Sequence, residues 1–230
     1  MKCDVALALD VESREDAHAI LGRVGASLKW VKIGLQLFTR YGPDLVDEIA
    51  ELGYDVFLDL KLHDIPNTVG NAIQSVGSLP VRLLTLHASG GPEMLKRAEA
   101  SRKEHAPNLR LLAVTVLTSM DARELKAVGI NQPPLDHVRH LAKIASMSGL
   151  DGFVCSPHET AVLREDLGED AFLVTPGIRL AGDSSDEQKR ITTPVDAAKA
   201  GANLIVVGRS LLRAENPAEV LASIREQLGP

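Results

Sequence analysis

Short apolar runs alternate with polar, helix-patterned stretches along the whole chain. The runs are DVALALD (4–10), KWVKIG (29–34), YDVFLDL (54–60), VRLLTLH (81–87), LRLLAVTVL (109–117), GFVCS (152–156), AFLVTPG (171–177) and NLIVVG (203–208). They are rich in Val, Leu and Ile and mostly continuous, which predicts strands buried on both faces, as in parallel sheets. Between them lie helical patterns. EDAHAILGRV places apolar residues at 17, 20, 21 and 24, the spacing of one helix face. Stretches 42–53, 68–77, 91–103, 135–149, 158–168, 194–201 and 217–229 read the same way, and several finish at Gly, a common helix stop.

Strand then helix, eight times over 230 residues, gives about 29 residues per unit, the size of a βα repeat. The expected fold is α/β, a single-domain (β/α)8 TIM barrel spanning 1–230, with an open doubly wound sheet as the alternative. One long polar insertion, RLAGDSSDEQKR (179–190), separates the seventh strand from its helix. In a barrel it falls at the C-terminal face, where active sites are built. It is expected to be a mobile lid there, or else a plain surface loop.

Composition narrows the function classes. Apolar residues make up 45% and charged residues 24%, values of an ordinary folded domain rather than a disordered chain. Aromatics are only 3%, too few for a base-stacking platform, and a net charge of -6 disfavours a broad polyanion-binding face. No nucleic-acid partner is therefore expected. One small phosphate stays possible, since it needs only a few N–H groups and one or two cations. Cys3 and Cys155 cannot form a disulfide scaffold and show no C-x-x-C, so they read as small buried hydrophobes. The first residues lack a signal-peptide pattern, and no apolar run is long enough to span a bilayer. The expectation is a soluble, cytoplasmic protein with no membrane partner.

The predicted strand ends carry an unusual set of polar residues. Strand one ends in Asp10, strand two holds Lys32, and strand three runs into Asp59-Leu60-Lys61-Leu62-His63-Asp64. Strand four ends at His87 and strand five at Thr118 and Ser119. Strand seven ends in Thr175-Pro176-Gly177-Ile178-Arg179, and strand eight in Gly208-Arg209-Ser210. Residues two apart on a strand share a side, so Asp59 and Lys61 are predicted to face the barrel interior, with Leu58, Leu60 and Leu62 towards the helices. Lys32 would add a second positive charge and Asp64 a second negative one. Buried charges need partners, so alternating Lys and Asp either hold each other ionised for chemistry or form a structural salt-bridge network.

GIR after strand seven and VVGRS after strand eight lie where barrels commonly bind phosphate. Gly208 permits close backbone approach, the next helix presents N–H groups, and Arg209 and Arg179 add charge-assisted contacts. The plain alternative is a turn glycine and surface arginines. His137 and His140 read as a solvent-facing pair on a helix. His63, His87 and His158 gather at the rim but lack H-x-H or H-E-x-x-H spacing, so no metal site is expected. No G-x-S-x-G, P-loop or G-x-G-x-x-G is present. Gly90-Gly91 reads as a loop-to-helix turn, and Trp30 and the four Met as core or interface filler.

The run Asp59-Leu60-Lys61-Leu62-His63-Asp64-Ile65-Pro66-Asn67-Thr68 resembles the D-x-K-x-x-D-I-P-N-T signature of the bacterial orotidine 5'-phosphate decarboxylase family. The likeness extends through ALD (8–10), VKIG (31–34), HASGG (87–91), VLTSM (116–120), TPGIR (175–179) and VVGRS (206–210), in the family's order. The resemblance implies cofactor-free conversion of orotidine 5'-monophosphate to UMP in pyrimidine synthesis. By it, Lys61 is the proton donor to C6, Asp59 sits beside the departing carboxylate, and Lys32 orients Asp59 and the ribose. Asp10 binds a ribose hydroxyl, and Thr118 and Ser119 meet the pyrimidine. Gln188, Arg179, Gly208 and Arg209 take the phosphate, while Ile65 and Pro176 complete the substrate-binding set. Asp64 and Thr68 reach into the partner's site, which implies a homodimer with shared active sites.

Two other readings stay in view. Magnesium-dependent sugar-phosphate enzymes of the same superfamily, such as hexulose-phosphate synthase and ketogulonate-phosphate decarboxylase, share D-x-K-x-x-D. Their second strand offers a Glu as metal ligand, where this chain has Lys32, which would repel Mg2+. A non-catalytic nucleotide-binding barrel would have no need of Lys61 as an interior proton donor.

Overall fold

A computed structural model describes residues 3–180 and 192–229. Eight parallel strands close into a barrel in sequence order: β1 (Asp4–Ala8), β2 (Trp30–Gly34), β3 (Asp55–Leu62), β4 (Val81–His87), β5 (Arg110–Val114), β6 (Gly152–Val154), β7 (Phe172–Thr175) and β8 (Leu204–Val207), with β8 pairing back onto β1. All eight apolar runs became strands, and closure excludes the open-sheet alternative. Around them lie α1 (Arg14–Val24), α2 (Leu35–Glu51), α3 (Pro66–Val76), α4 (Gly91–His105), α5 (Ala122–Ala127), α6 (Pro134–Met147), α7 (Pro157–Leu167), α8 (Pro194–Lys199), α9 (Arg209–Leu212) and α10 (Pro217–Leu228).

Strand residues alternate between two apolar layers, which explains the continuous runs. On β8, Leu204 and Val206 pack inside the barrel while Ile205 and Val207 face the helices. On β1, Ala6 and Ala8 point inward beside the large Phe57 of β3, so small and bulky side chains share the interior. Cys3 and Cys155 are buried and unpaired, and burial pushes both thiols up to about 12, as inert small hydrophobes require. Among the described residues no helix is long and apolar enough to cross a membrane.

Helix boundaries depart from the pattern in three places. The second helical segment begins at Leu35, not Gly42; Gly42 is a kink (φ 64°, ψ -151°) just before Pro43, so the start seen in sequence is the restart after a break. The short α5 is anchored by a capping box. Asp121 accepts from the backbone N–H groups of Arg123 and Glu124, and Glu124 accepts from that of Asp121. The four-residue α9 follows β8 directly, too short for a periodicity to register.

Candidate active site

The site is built around a break in β3. Ladder pairing runs through Leu58 with Leu84 and resumes only at Leu62 with Leu86, so Asp59, Leu60 and Lys61 lie against the single residue Thr85 of β4. Lys61 has φ 51°, the left-handed region; among the described residues no other non-glycine does. A lysine there costs about 1–2 kcal/mol of backbone strain. Its displaced N–H donates to Thr85 Oγ1 (2.9 Å) instead of to a strand carbonyl, and the Thr85 hydroxyl donates to Asp59 Oδ1 (2.8 Å). Regular strand alternation was the wrong reason for placing Asp59 and Lys61 together. Both do line the cavity at the barrel mouth, but the bulge aims them.

From β1 to β3 the charges alternate in sign. Lys32 Nζ lies 3.3 Å from Asp10 Oδ1 and 3.6 Å from Asp59 Oδ2, and Lys61 Nζ donates to Asp59 Oδ1 at 2.8 Å. Lys32 and Asp59 are largely buried, while the side chain of Asp10 is 60% exposed. Burial alone would push the Asp59 carboxyl up. The Lys32 and Lys61 ammonium groups, with hydrogen bonds from Lys61 and Thr85, outweigh it and hold the carboxyl below its ordinary value. His87, at the end of β4, is pushed down by burial and by neighbouring His63 and Lys61, so it favours the neutral ring.

The expected Asp64 is not part of this array within one chain. It is exposed, its Oδ1 accepts from the Ile65 N–H (2.7 Å), and Asp10 supplies the second carboxylate. The reason is local: β3 ends at Leu62, so Asp64 lies beyond the strand that positions Asp59 and Lys61. Ile65, the N-cap of α3, is 66% exposed, and Thr68 in its first turn is exposed as well, so this end of α3 faces outward.

The cavity holds about 690 Å³. Ala8, Phe57, Val154, Val174 and Val206 form apolar wall, and Thr118, Pro176, Arg179, Gly208 and Arg209 line it as well. Thr118 reaches it from the loop after β5, which ends at Val114 rather than at Thr118. Ser119 is exposed and is not among the lining residues. Arg179 is buried, with Nη1 donating to the Ile178 carbonyl (2.8 Å). Gln188 and most of the 179–190 insertion lie outside the described residues. His63 and His87 rings are 5.4 Å apart at the rim, and His137 and His140 stack at 6.4 Å on α6. His158 is exposed, and among the described residues no three His, Cys, Asp or Glu side chains form a metal-binding set.

Sequence reasoning passed over three residues. Thr85 sits inside an apolar run and carries no motif. Gly34 is pressed against the array: a Cβ there would meet Lys32 Nζ at 3.2 Å. Arg213 also lines the cavity, and its spacing four residues after Arg209 was the available signal.

Residues 4–224 match the family described as "Orotidine 5'-phosphate decarboxylase / HUMPS family". A relative named orotidine 5'-phosphate decarboxylase, from Opitutus terrae, is 48% identical over 99% of both chains. Another of that name, from Haemophilus influenzae, is 44% identical over the full length of both. The crystal structure of orotidine 5'-phosphate decarboxylase from Lactobacillus acidophilus superposes with a TM-score of 0.88 at 36% identity, covering 99% of this chain and 100% of that one. With this match along nearly its whole length and the charged array at its barrel mouth, the chain belongs to the orotidine 5'-phosphate decarboxylase / HUMPS family.

Proposed function

We propose that the chain decarboxylates orotidine 5'-monophosphate to UMP and CO2 with no metal or coenzyme. The observation that carries this reading is the Lys32–Asp59–Lys61 array, with contacts of 2.8 and 3.6 Å, facing a cavity that Arg179 and Arg209 also line. Loss of CO2 leaves an electron pair on C6 that no cofactor delocalises. A fixed cation beside C6 must stabilise it. Lys61 supplies that charge and then the proton: the C6 pair takes H+ from Nζ, and the neutral amine recovers one from solvent. Asp59, ionised because two ammonium groups flank it, holds Lys61 in position before the carboxylate leaves. Arg179 and Arg209 take the phosphate, far from the reacting bond, where binding energy fixes geometry.

The family's name also covers HUMPS, and Lys32 weighs against a magnesium-dependent reading here. Its ammonium lies within 3.6 Å of both Asp10 and Asp59, so a divalent cation between those carboxylates would meet a fixed positive charge. The protein acts as a homodimer in this reading: Asp64, Ile65 and Thr68 face outward from their own chain and would complete a neighbour's site.

The test is spectroscopic. Purified protein is mixed with orotidine 5'-monophosphate under excess EDTA, and conversion to UMP is followed by the change in pyrimidine absorbance. Turnover unaffected by chelator is expected. Absent turnover, or activity restored only by Mg2+, refutes the reading.

A further inference from the structure

We infer that Thr85 is a positioning residue for the decarboxylation, its hydroxyl fixing both the Asp59 carboxylate and the direction of Lys61. The inference rests on the function proposed above. It comes from the break in β3. Where three residues of one strand oppose a single residue of the next, a backbone N–H loses its ladder partner. Here that N–H belongs to Lys61, and Thr85 Oγ1 accepts it at 2.9 Å. The same oxygen has one proton, and it goes to Asp59 Oδ1 at 2.8 Å. Asp59 Oδ1 in turn accepts from Lys61 Nζ at 2.8 Å. The three hydrogen bonds close a ring through four groups: Lys61 main chain, Thr85 hydroxyl, Asp59 carboxylate, Lys61 side chain.

Both ends of Lys61 are therefore referenced to one oxygen. Thr85 is 1% exposed, and its β-branched side chain is stiff at χ1, so that oxygen has little freedom. Left-handed backbone at a lysine persists only where its surroundings over-determine it, and the Thr85 hydroxyl is the contact that does so at Lys61. A serine keeps both hydrogen bonds. A valine keeps the shape and loses both, leaving a buried N–H unpaired and the carboxylate with one donor fewer.

The experiment measures kcat and KM for orotidine 5'-monophosphate with wild type, Thr85→Val, Thr85→Ser and Thr85→Cys, together with the pH dependence of kcat/KM. Thr85→Val is expected to lose about 100-fold in kcat, with KM within about threefold, because misplacement of a reacting group acts on the transition state. Thr85→Ser is expected within about fivefold of wild type, and Thr85→Cys, with a weak donor, between the two. The acid limb of the profile should move to higher pH in Thr85→Val, since Asp59 loses a donor while Lys32, Lys61, Asp10 and His87 remain around it. Near-normal kcat in a folded Thr85→Val refutes the inference. So does a Thr85→Ser defect as large as that of Thr85→Val, which would assign the effect to packing of the methyl group. If Thr85→Val does not fold, Thr85→Cys matching Thr85→Ser refutes it equally. An active wild type with unaffected variants overturns only the role of Thr85, whereas an inactive wild type overturns the function and this role together.

Discussion

Replacing Lys61 with alanine isolates the step that defines the proposed chemistry. The ammonium lies 2.8 Å from Asp59, and its side chain is 32% exposed, so water partly screens it. A unit charge at about 3 Å from the electron pair forming on C6, with an effective dielectric constant near 20, is worth about 5 kcal/mol. At 1.36 kcal/mol per decade that is roughly a 10⁴-fold loss of kcat from electrostatics alone, before the missing proton donor is counted. The fold should survive. Asp59 keeps Thr85 at 2.8 Å and Lys32 at 3.6 Å, and the deleted side chain is partly in solvent. A stability loss within about 1–2 kcal/mol is expected. The assay pairs kcat from absorbance with UMP affinity from calorimetry and melting temperature from circular dichroism. Intact fold, near-native UMP affinity and a kcat loss of at least about 10⁴-fold are the expected triad. A loss below about 100-fold would refute the role, because no other cation has been assigned the proton. Lys61→Arg should not rescue, as guanidinium is a poor proton donor and does not fit an ammonium's place.

Four further outcomes follow from the same geometry. Arg209→Ala should weaken UMP binding by about 2 to 4 kcal/mol with little change in kcat at saturation; unchanged affinity would move the phosphate elsewhere. Mixing inactive Asp64→Ala chains with inactive Lys61→Ala chains should restore activity, since one site of each mixed dimer would hold both native residues; no restoration refutes shared sites. Asp59 has a folded-state pKa below its ordinary 3.8, so its stabilisation is complete above that value and is lost as pH falls through the lower one. The stability gap between wild type and Asp59→Asn should accordingly narrow as pH is taken from about 5 to about 2.5, and a constant gap would contradict the assignment. Finally, Lys61→Gly should be no less stable than Lys61→Ala, by up to about 1 kcal/mol in its favour, because φ 51° suits glycine; a clear cost for glycine in thermal melts would mean the left-handed conformation is not strained.

The barrel was legible because parallel strands buried on both faces write continuous apolar runs, and eight of them left little choice of closure. The ends of elements were less so. Gly42 and Pro43 look like a helix start in sequence and are a kink inside one, since a break and a beginning carry the same residues. At the site, Asp59, Lys61 and Lys32 were found through charge in an apolar context, which is costly unless it has a purpose. Thr85 was not found, because a threonine in VRLLTLH is ordinary strand vocabulary. Its hydrogen bonds to Asp59 and to the Lys61 N–H arise only through the slipped register opposite it. Asp64 was offered as a second negative charge because it is close to Lys61 in sequence, but β3 ends at Leu62, before it.

If the proposed function holds, the order of charges around the mouth gives the substrate one way in. Asp10, Lys32, Asp59 and Lys61 alternate in sign across β1, β2 and β3, each ammonium within 3.6 Å of a carboxylate, so this side is close to neutral. Arg179 follows β7, four strands from β3 in the closed order and so across the ring from Asp59 and Lys61, while Arg209 and Arg213 follow β8, which pairs with β1. In that reading a ligand with a phosphate at one end and a ring carboxylate at the other would meet the arginines after β7 and β8 with one end and the balanced array of β2 and β3 with the other. Phosphate in the wrong half would face Asp59, whose ionisation the two lysines maintain, and would lose the arginines as well. Orientation in that reading would be set by an arrangement of charge that no short stretch of sequence displays. The residues come from positions 10, 32, 59, 61, 179, 209 and 213, and only closure of the barrel brings them around one cavity.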